Sequence, residues 1–224
     1  MDEDLLYETF DRAARTMRIG AFEESAELFE LALRQPGLSA DRRVVALAGS
    51  FTAWHLLGDR EGERRAARRF FRPTNFGEAE GVKLSESAAA EIRWLRHVAL
   101  RVVAAEDAET RRSVASPRNP IPVLAPSEAM ETLSWVGCGA SRERSYEVLS
   151  DEDRSARGGR FKVLRARCGA TAPPRTFWFD LSTWDALMAT HLSGTPPPIG
   201  FTEVDAARVV TEEFGAQNES GRTP

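Results

Sequence analysis

The 224 residues carry 30 basic and 34 acidic side chains, for a formal charge of −4, and 42% of them are hydrophobic. That balance excludes a collagen-like chain, a disulfide-dense scaffold and wholesale disorder, and it argues against a dedicated nucleic-acid binder. No apolar run approaches the roughly 18 residues of a membrane span. Met1-Asp2-Glu3-Asp4 is acidic where a secretory leader is basic, so a cytoplasmic protein without membrane attachment is expected. Only Lys83 and Lys162 are lysines; a bias to arginine spread over the whole chain reads as base composition of the gene rather than a selected site.

The N-terminal half reads as helices. Leu5, Leu6, Phe10, Met17 and Ile19 recur at helical spacing and predict a first helix from Leu5 to Ile19, broken by Gly20. A second is predicted from Phe22 to Arg34, with Ala26, Phe29, Ala32 and Leu33 inward and Pro36-Gly37 as its stop. Val44, Val45, Leu47, Ala48, Phe51, Trp54 and Leu57 outline a third. Gly58-Asp59 turns the chain into a fourth, Glu61 to Phe71, before Pro73.

Gly20-Ala21-Phe22, followed by Phe29, Ala32 and Pro36, resembles the turn and second helix of a tetratricopeptide repeat. Leu57-Gly58-Asp59 with Ala67 resembles that turn again. The chain departs from the repeat pattern at Thr9, Ser25 and Arg60, where Trp, Ala and an aromatic are usual. The resemblance covers about residues 4–72 and implies antiparallel helix pairs. In such pairs the first helices line a concave surface that holds a peptide or protein segment. On matching positions it implies a groove of Tyr7, Phe10, Ala14, Met17, Arg18, Val45, Thr52 and His55. Beyond the polar connector Thr74-Asn75-Phe76-Gly77, Ser85 is predicted to cap a fifth helix, Glu86 to Ala105, which would close the stack.

Pro117, Pro120 and Pro122 mark a change of character. A short strand is predicted at Ile121 to Leu124, then a helix, Glu128 to Trp135, capped by Ser127 and ended by Gly137. Ser145–Leu149, Arg160–Cys168 and Thr176–Leu181 read as strands of an antiparallel meander, with Gly158-Gly159 and Pro173-Pro174 in the connections. A helix capped by Ser182 or Thr183 runs to Gly194, and a last one spans Val204 to Phe214. Pro122-Val123-Leu124, Phe161-Lys162-Val163-Leu164 and Phe177-Trp178-Phe179-Asp180-Leu181-Ser182 resemble an uncharacterised bacterial family with repeat-like helices ahead of a small α+β end. That family has no assigned activity. The expected architecture is α+β: a helical domain at 1–112, a small α+β domain at 113–216, and a polar tail at 217–224.

No Walker loop, dinucleotide glycine fingerprint, zinc helix or nucleophile elbow is present, so no cofactor or metal is expected. His55, His97 and His191 lack metal-ligand spacing, and Cys138 and Cys168 are expected to be reduced thiols. Asp180 and Asp185 flank a helix start, where carboxylates serve the helix dipole. Arg60, Arg64, Arg65, Arg68, Arg69 and Arg72 form a basic stripe, read as a solvated helix face. The leading expectation is a non-enzymatic interaction module with a protein or peptide partner. Its rival is an enzyme or small-ligand protein whose site lies at the junction of the halves.

Overall fold

The computed structural model describes residues 3–36, 38–70, 85–111, 114–138, 146–198 and 201–220. Gly37, Phe71, Arg72, the connector from Pro73 to Gly77 and Ser145 lie outside them. The chain divides into two compact units, Met1–Val103 and Ala104–Pro224.

In the first unit, four helices follow one another: α1 (Glu3–Arg18), α2 (Phe22–Leu33), α3 (Ala40–Leu57) and α4 (Arg60–Phe70). Each packs on the next, and α1 also touches α3. The turns follow from residue chemistry. Gly20 at φ +80° leaves α1, its N–H bonding Met17 O, and Gly58 at φ +74° ends α3. Asp59 then accepts the N–H groups of Glu61 and Gly62 at 3.0 and 3.3 Å, which starts α4. A fifth helix, α5 (Glu86–Thr110), begins where Ser85 Oγ accepts the Ala88 N–H at 3.3 Å, and its last residues, from Ala104, belong to the second unit. It runs about a turn beyond the expected Ala105, burying Ala105 and Ala108.

The core between α1, α2 and α3 is built from Leu6, Ala32 and Leu38 on one side and Ala13, Phe29 and Ala46 on the other. Phe10 and Leu33 pack against both groups. Small residues set the helix spacing. Ser25, fully buried, donates its hydroxyl to the Ala13 carbonyl at 2.9 Å. Gly49 of α3 lies under the Phe29 ring, and Gly62 of α4 under the Trp54 indole, with no room for a Cβ at either. Because α3 is covered from two sides, it buries Val44, Ala46, Leu47, Ala48, Phe51, Ala53 and Trp54. Val45 and Leu57, assigned to its apolar face by periodicity, are exposed instead.

The second unit holds a four-stranded sheet in the order β1-β4-β3-β2. Its strands are β1 (Ile121–Pro122), β2 (Tyr146–Ala156), β3 (Gly159–Cys168) and β4 (Arg175–Asp180). β2, β3 and β4 form the expected antiparallel meander, whereas β1 joins β4 in parallel, Ile121 opposite Phe179. The β2–β3 turn is Arg157-Gly158, at φ +52° and +79°, so Gly159 already belongs to β3. That is the geometry of a two-residue hairpin turn whose twist matches its strands. β2 is longer than expected and bulges between Val148 and Ser150. β3 is interior, which explains why it buries Val163 as well as Leu164 and Ala166.

Three further helices complete the unit: α6 (Glu128–Trp135), α7 (Ser182–Ser193) and α8 (Glu203–Ser220). Their bounds match the expectation for α6, and Gly194 at φ +63° ends α7 as expected. Several termini are made differently. Ser127 does not cap α6; its hydroxyl donates to the buried Glu213 carboxylate of α8, and Glu128 accepts the Leu124 N–H at 2.7 Å. Val136 leaves α6 in an extended conformation, and the Glu109 carboxylate lies where a Cβ on Gly137 would be, so a larger residue there would displace it. At α7 neither Ser182 nor Thr183 caps; Asp180 accepts the Ser182 N–H at 2.9 Å. Residues 217–220, expected in the tail, continue α8.

Candidate protein-interaction face

The groove positions implied by the repeat resemblance fall on α1 and α3, but unequally. Tyr7 is 49% exposed, and Arg42 from the start of α3 lies over its ring, 3.7 Å from the centroid. That contact holds the ring in place. Val45 is 41% exposed and Arg18 is fully at the surface. Phe10 and Met17 are half-buried: both pack on the core, Phe10 edge-on to Phe29 with centroids 6.1 Å apart. Ala14 is half-buried as well. Thr52 spends its hydroxyl on the Ala48 carbonyl at 2.9 Å. His55 is held by Glu63 at 2.6 Å and stacks on Phe51. Tyr7, Val45 and Arg18 are therefore the members that present surface, with Phe10 and Met17 as their foundation.

A second feature lies at the C-terminal end of α1, where Arg12, Arg15, Thr16, Arg18 and Ile19 line an open depression of about 500 Å³. Ile19 is 79% exposed there. Its spacing with Phe10 and Met17 placed it on the buried face; the helix ends one residue earlier and turns it outward. Only the clustering of three arginines within seven residues, next to a terminal apolar residue, marked this end in the sequence.

The basic stripe on α4 is partly used for packing. Arg65 lies over the Trp54 indole at 5.7 Å and Arg69 reaches Glu30 at 3.9 Å. Glu30 also accepts the Trp54 indole N–H at 3.1 Å, so one carboxylate ties α2, α3 and α4 together. Arg60 and Arg68 are exposed and Arg64 half-exposed; all three engage other groups. Arg72 lies outside the described residues.

Comparison with family models, curated proteins and solved structures finds no match to this chain.

In the second unit, Cys138 and Cys168 form a disulfide, with Cα atoms 5.6 Å apart, rather than the expected free thiols. Cys168 stands opposite Tyr146 in the β2–β3 register, and the Tyr146 hydroxyl reaches Gly137, the neighbour of Cys138. Tyr146 donates to Gly137 O at 3.5 Å and accepts from Arg175 at 3.0 Å. Arg175 also donates to Ala108 O at 2.8 Å. Asp185 pairs with Arg160 at 2.6 Å while Asp180 accepts the Ser182 N–H ahead of α7, so the two carboxylates have separate structural tasks. Lys162 is half-buried between Asp151 at 2.5 Å and Asp153 at 3.4 Å. Burial alone would lower its pKa, but hydrogen bonding and attraction from the two carboxylates outweigh that and raise it. Among the described residues, no group of three or more His, Cys, Asp or Glu side chains is placed to hold a metal ion. No described helix is long and apolar enough to cross a membrane.

Proposed function

We propose that the helical unit is a non-enzymatic interaction module, binding a peptide or protein segment on the face shared by α1 and α3. The observation that carries this reading is the exposure of Tyr7 and Val45 on two helices that touch. Tyr7 meets Arg42, one helical turn before Val45 on α3, and exposed apolar groups grouped in this way favour a partner that covers them. Arg42 lies over the Tyr7 ring, a contact that favours one ring position and so reduces the entropy lost when a partner covers it. The resemblance of residues 4–72 to tetratricopeptide units supports the same use, as an argument from likeness.

The test is selection of binding peptides from a random library by the full chain, followed by Tyr7→Ala/Val45→Ser. The expected result is at least a tenfold loss of affinity for the selected peptides with a thermal midpoint close to that of the parent. Unchanged affinity together with a large fall in midpoint would assign these side chains to the fold alone.

A further inference from the structure

We infer that the segment taken by this module is acidic, carboxylates beside one apolar side chain, and that the C-terminal end of α1 reads its charge. This inference rests on the interaction-module reading and adds the chemistry of the partner.

The depression at the end of α1 is lined by three guanidiniums in unequal states. Arg12 is already engaged, its Nε and Nη2 donating to Glu24 at 3.1 and 2.5 Å. Arg15 donates only its Nε, to the Asp11 carbonyl at 3.3 Å, and has no carboxylate partner among the described residues. Arg18 likewise has none among the described residues. The α1 C-terminus tolerates such cations, since the helix dipole places partial negative charge there. The dipole accounts for their charge but not for the surface between them. Thr16 turns its hydroxyl inward to the carbonyls of Arg12 and Ala13, which leaves Ile19 as the apolar contact of the depression. Two guanidinium forks with unused donors beside one branched aliphatic side chain match a carboxylate next to an aliphatic residue. In a chain of net charge −4, two guanidiniums without carboxylate partners among the described residues make this end locally attractive to anions.

The same composition weighs against nucleic acid. No aromatic side chain lines the depression, so bases would find no stacking surface, and two available cations follow little of a phosphate backbone. An inorganic anion would use the guanidiniums but leave Ile19 without a role.

The experiment uses the full chain and three labelled peptides of equal length, read by fluorescence anisotropy. One alternates Glu with Leu, one replaces Glu by Gln, and one replaces Leu by Ser. The Glu/Leu peptide is expected to bind most tightly, and its affinity to fall as salt rises. Exposed ion pairs contribute roughly 1.5- to 5-fold each, so Arg15→Ala/Arg18→Ala should weaken binding by about tenfold. Ile19→Ser should erase the preference for Leu over Ser. Arg165→Ala/Arg208→Ala removes the same charge elsewhere and should leave affinity unchanged. Equal binding of the Gln peptide, parental affinity in the Arg15/Arg18 variant, or displacement by equimolar inorganic phosphate would each overturn the inference. If Tyr7→Ala/Val45→Ser abolishes peptide binding while Arg15→Ala/Arg18→Ala does not, the module stands and the acidic partner falls.

Discussion

The Ser25 hydroxyl meets the Ala13 carbonyl where neither is reached by water. Ala13 O also accepts from Thr16 at 2.9 Å, so losing one donor does not orphan it. Ser25→Ala should therefore cost only about 1 kcal/mol. Ser25→Val, which forces a second methyl between α1 and α2, should cost about 1–3 kcal/mol. Chemical denaturation of both variants checks the order. Gly49 and Gly20 make a second contrast. A Cβ at Gly49 would sit 2.5 Å from the Phe29 ring, whereas at Gly20 it meets nothing within 4 Å. Gly49→Ala is destabilising through overlap, by about 1–3 kcal/mol, although helix propensity returns up to about 1 kcal/mol of that. Gly20→Ala is destabilising only through its left-handed φ of +80°, by about 1 kcal/mol. Lys162 gives a pH signature. Its folded pKa is raised by Asp151 and Asp153, so the stability it contributes is complete below its ordinary value of 10.5. That contribution is lost as pH rises through the folded pKa. Lys162→Met should flatten the alkaline limb of thermal midpoint against pH; an unchanged limb would show that the pair has no such role.

At the scale of elements, the helix ends were the most legible part of the sequence. Gly20, Gly58, Asp59, Ser85 and Gly194 act locally, through φ or a side-chain oxygen a few atoms away, and such effects need no tertiary context. Ends set by distant partners were not legible. Ser127 looks like a cap but serves Glu213, 86 residues away, and Gly137 looks like a helix stop but makes room for Glu109. β2 was read too short for a related reason. From Asp151 to Ser155 it is exposed at every position, so no alternation marks it, and pairing with β3 alone makes it a strand. On the candidate face, Tyr7, Phe10 and Met17 were assigned through the repeat resemblance, while the outward turn of Ile19 depended on where α1 stops. The disulfide was hidden by register, since its cysteines lie 30 residues apart. Closing a loop of that length should contribute about 3–4 kcal/mol by restricting the unfolded chain. Cys138→Ser/Cys168→Ser should lower the thermal midpoint markedly, and reduction of the parent should reproduce the shift.

For the whole molecule, the first unit has buried apolar residues of its own on every helix, from Leu6 of α1 through Phe70 of α4 to Val102 of α5. A fragment of residues 1–112 should therefore give a helical circular dichroism spectrum and melt cooperatively; a random-coil spectrum would mean that these helices depend on the rest of the chain. The second unit presents a different problem to its surroundings. β2 lies at the edge of the sheet, with its outer backbone groups unclaimed by any strand among the described residues. Its exposed run Asp151-Glu152-Asp153-Arg154 places three carboxylates in succession along that edge. Each is ion-paired within the hairpin, Asp151 and Asp153 with Lys162 and Glu152 with Arg154, so a second copy extending the sheet would have to disturb these pairs. Charged side chains along an edge strand disfavour its pairing with another chain, and among the described residues β2 carries them over Asp151–Arg154.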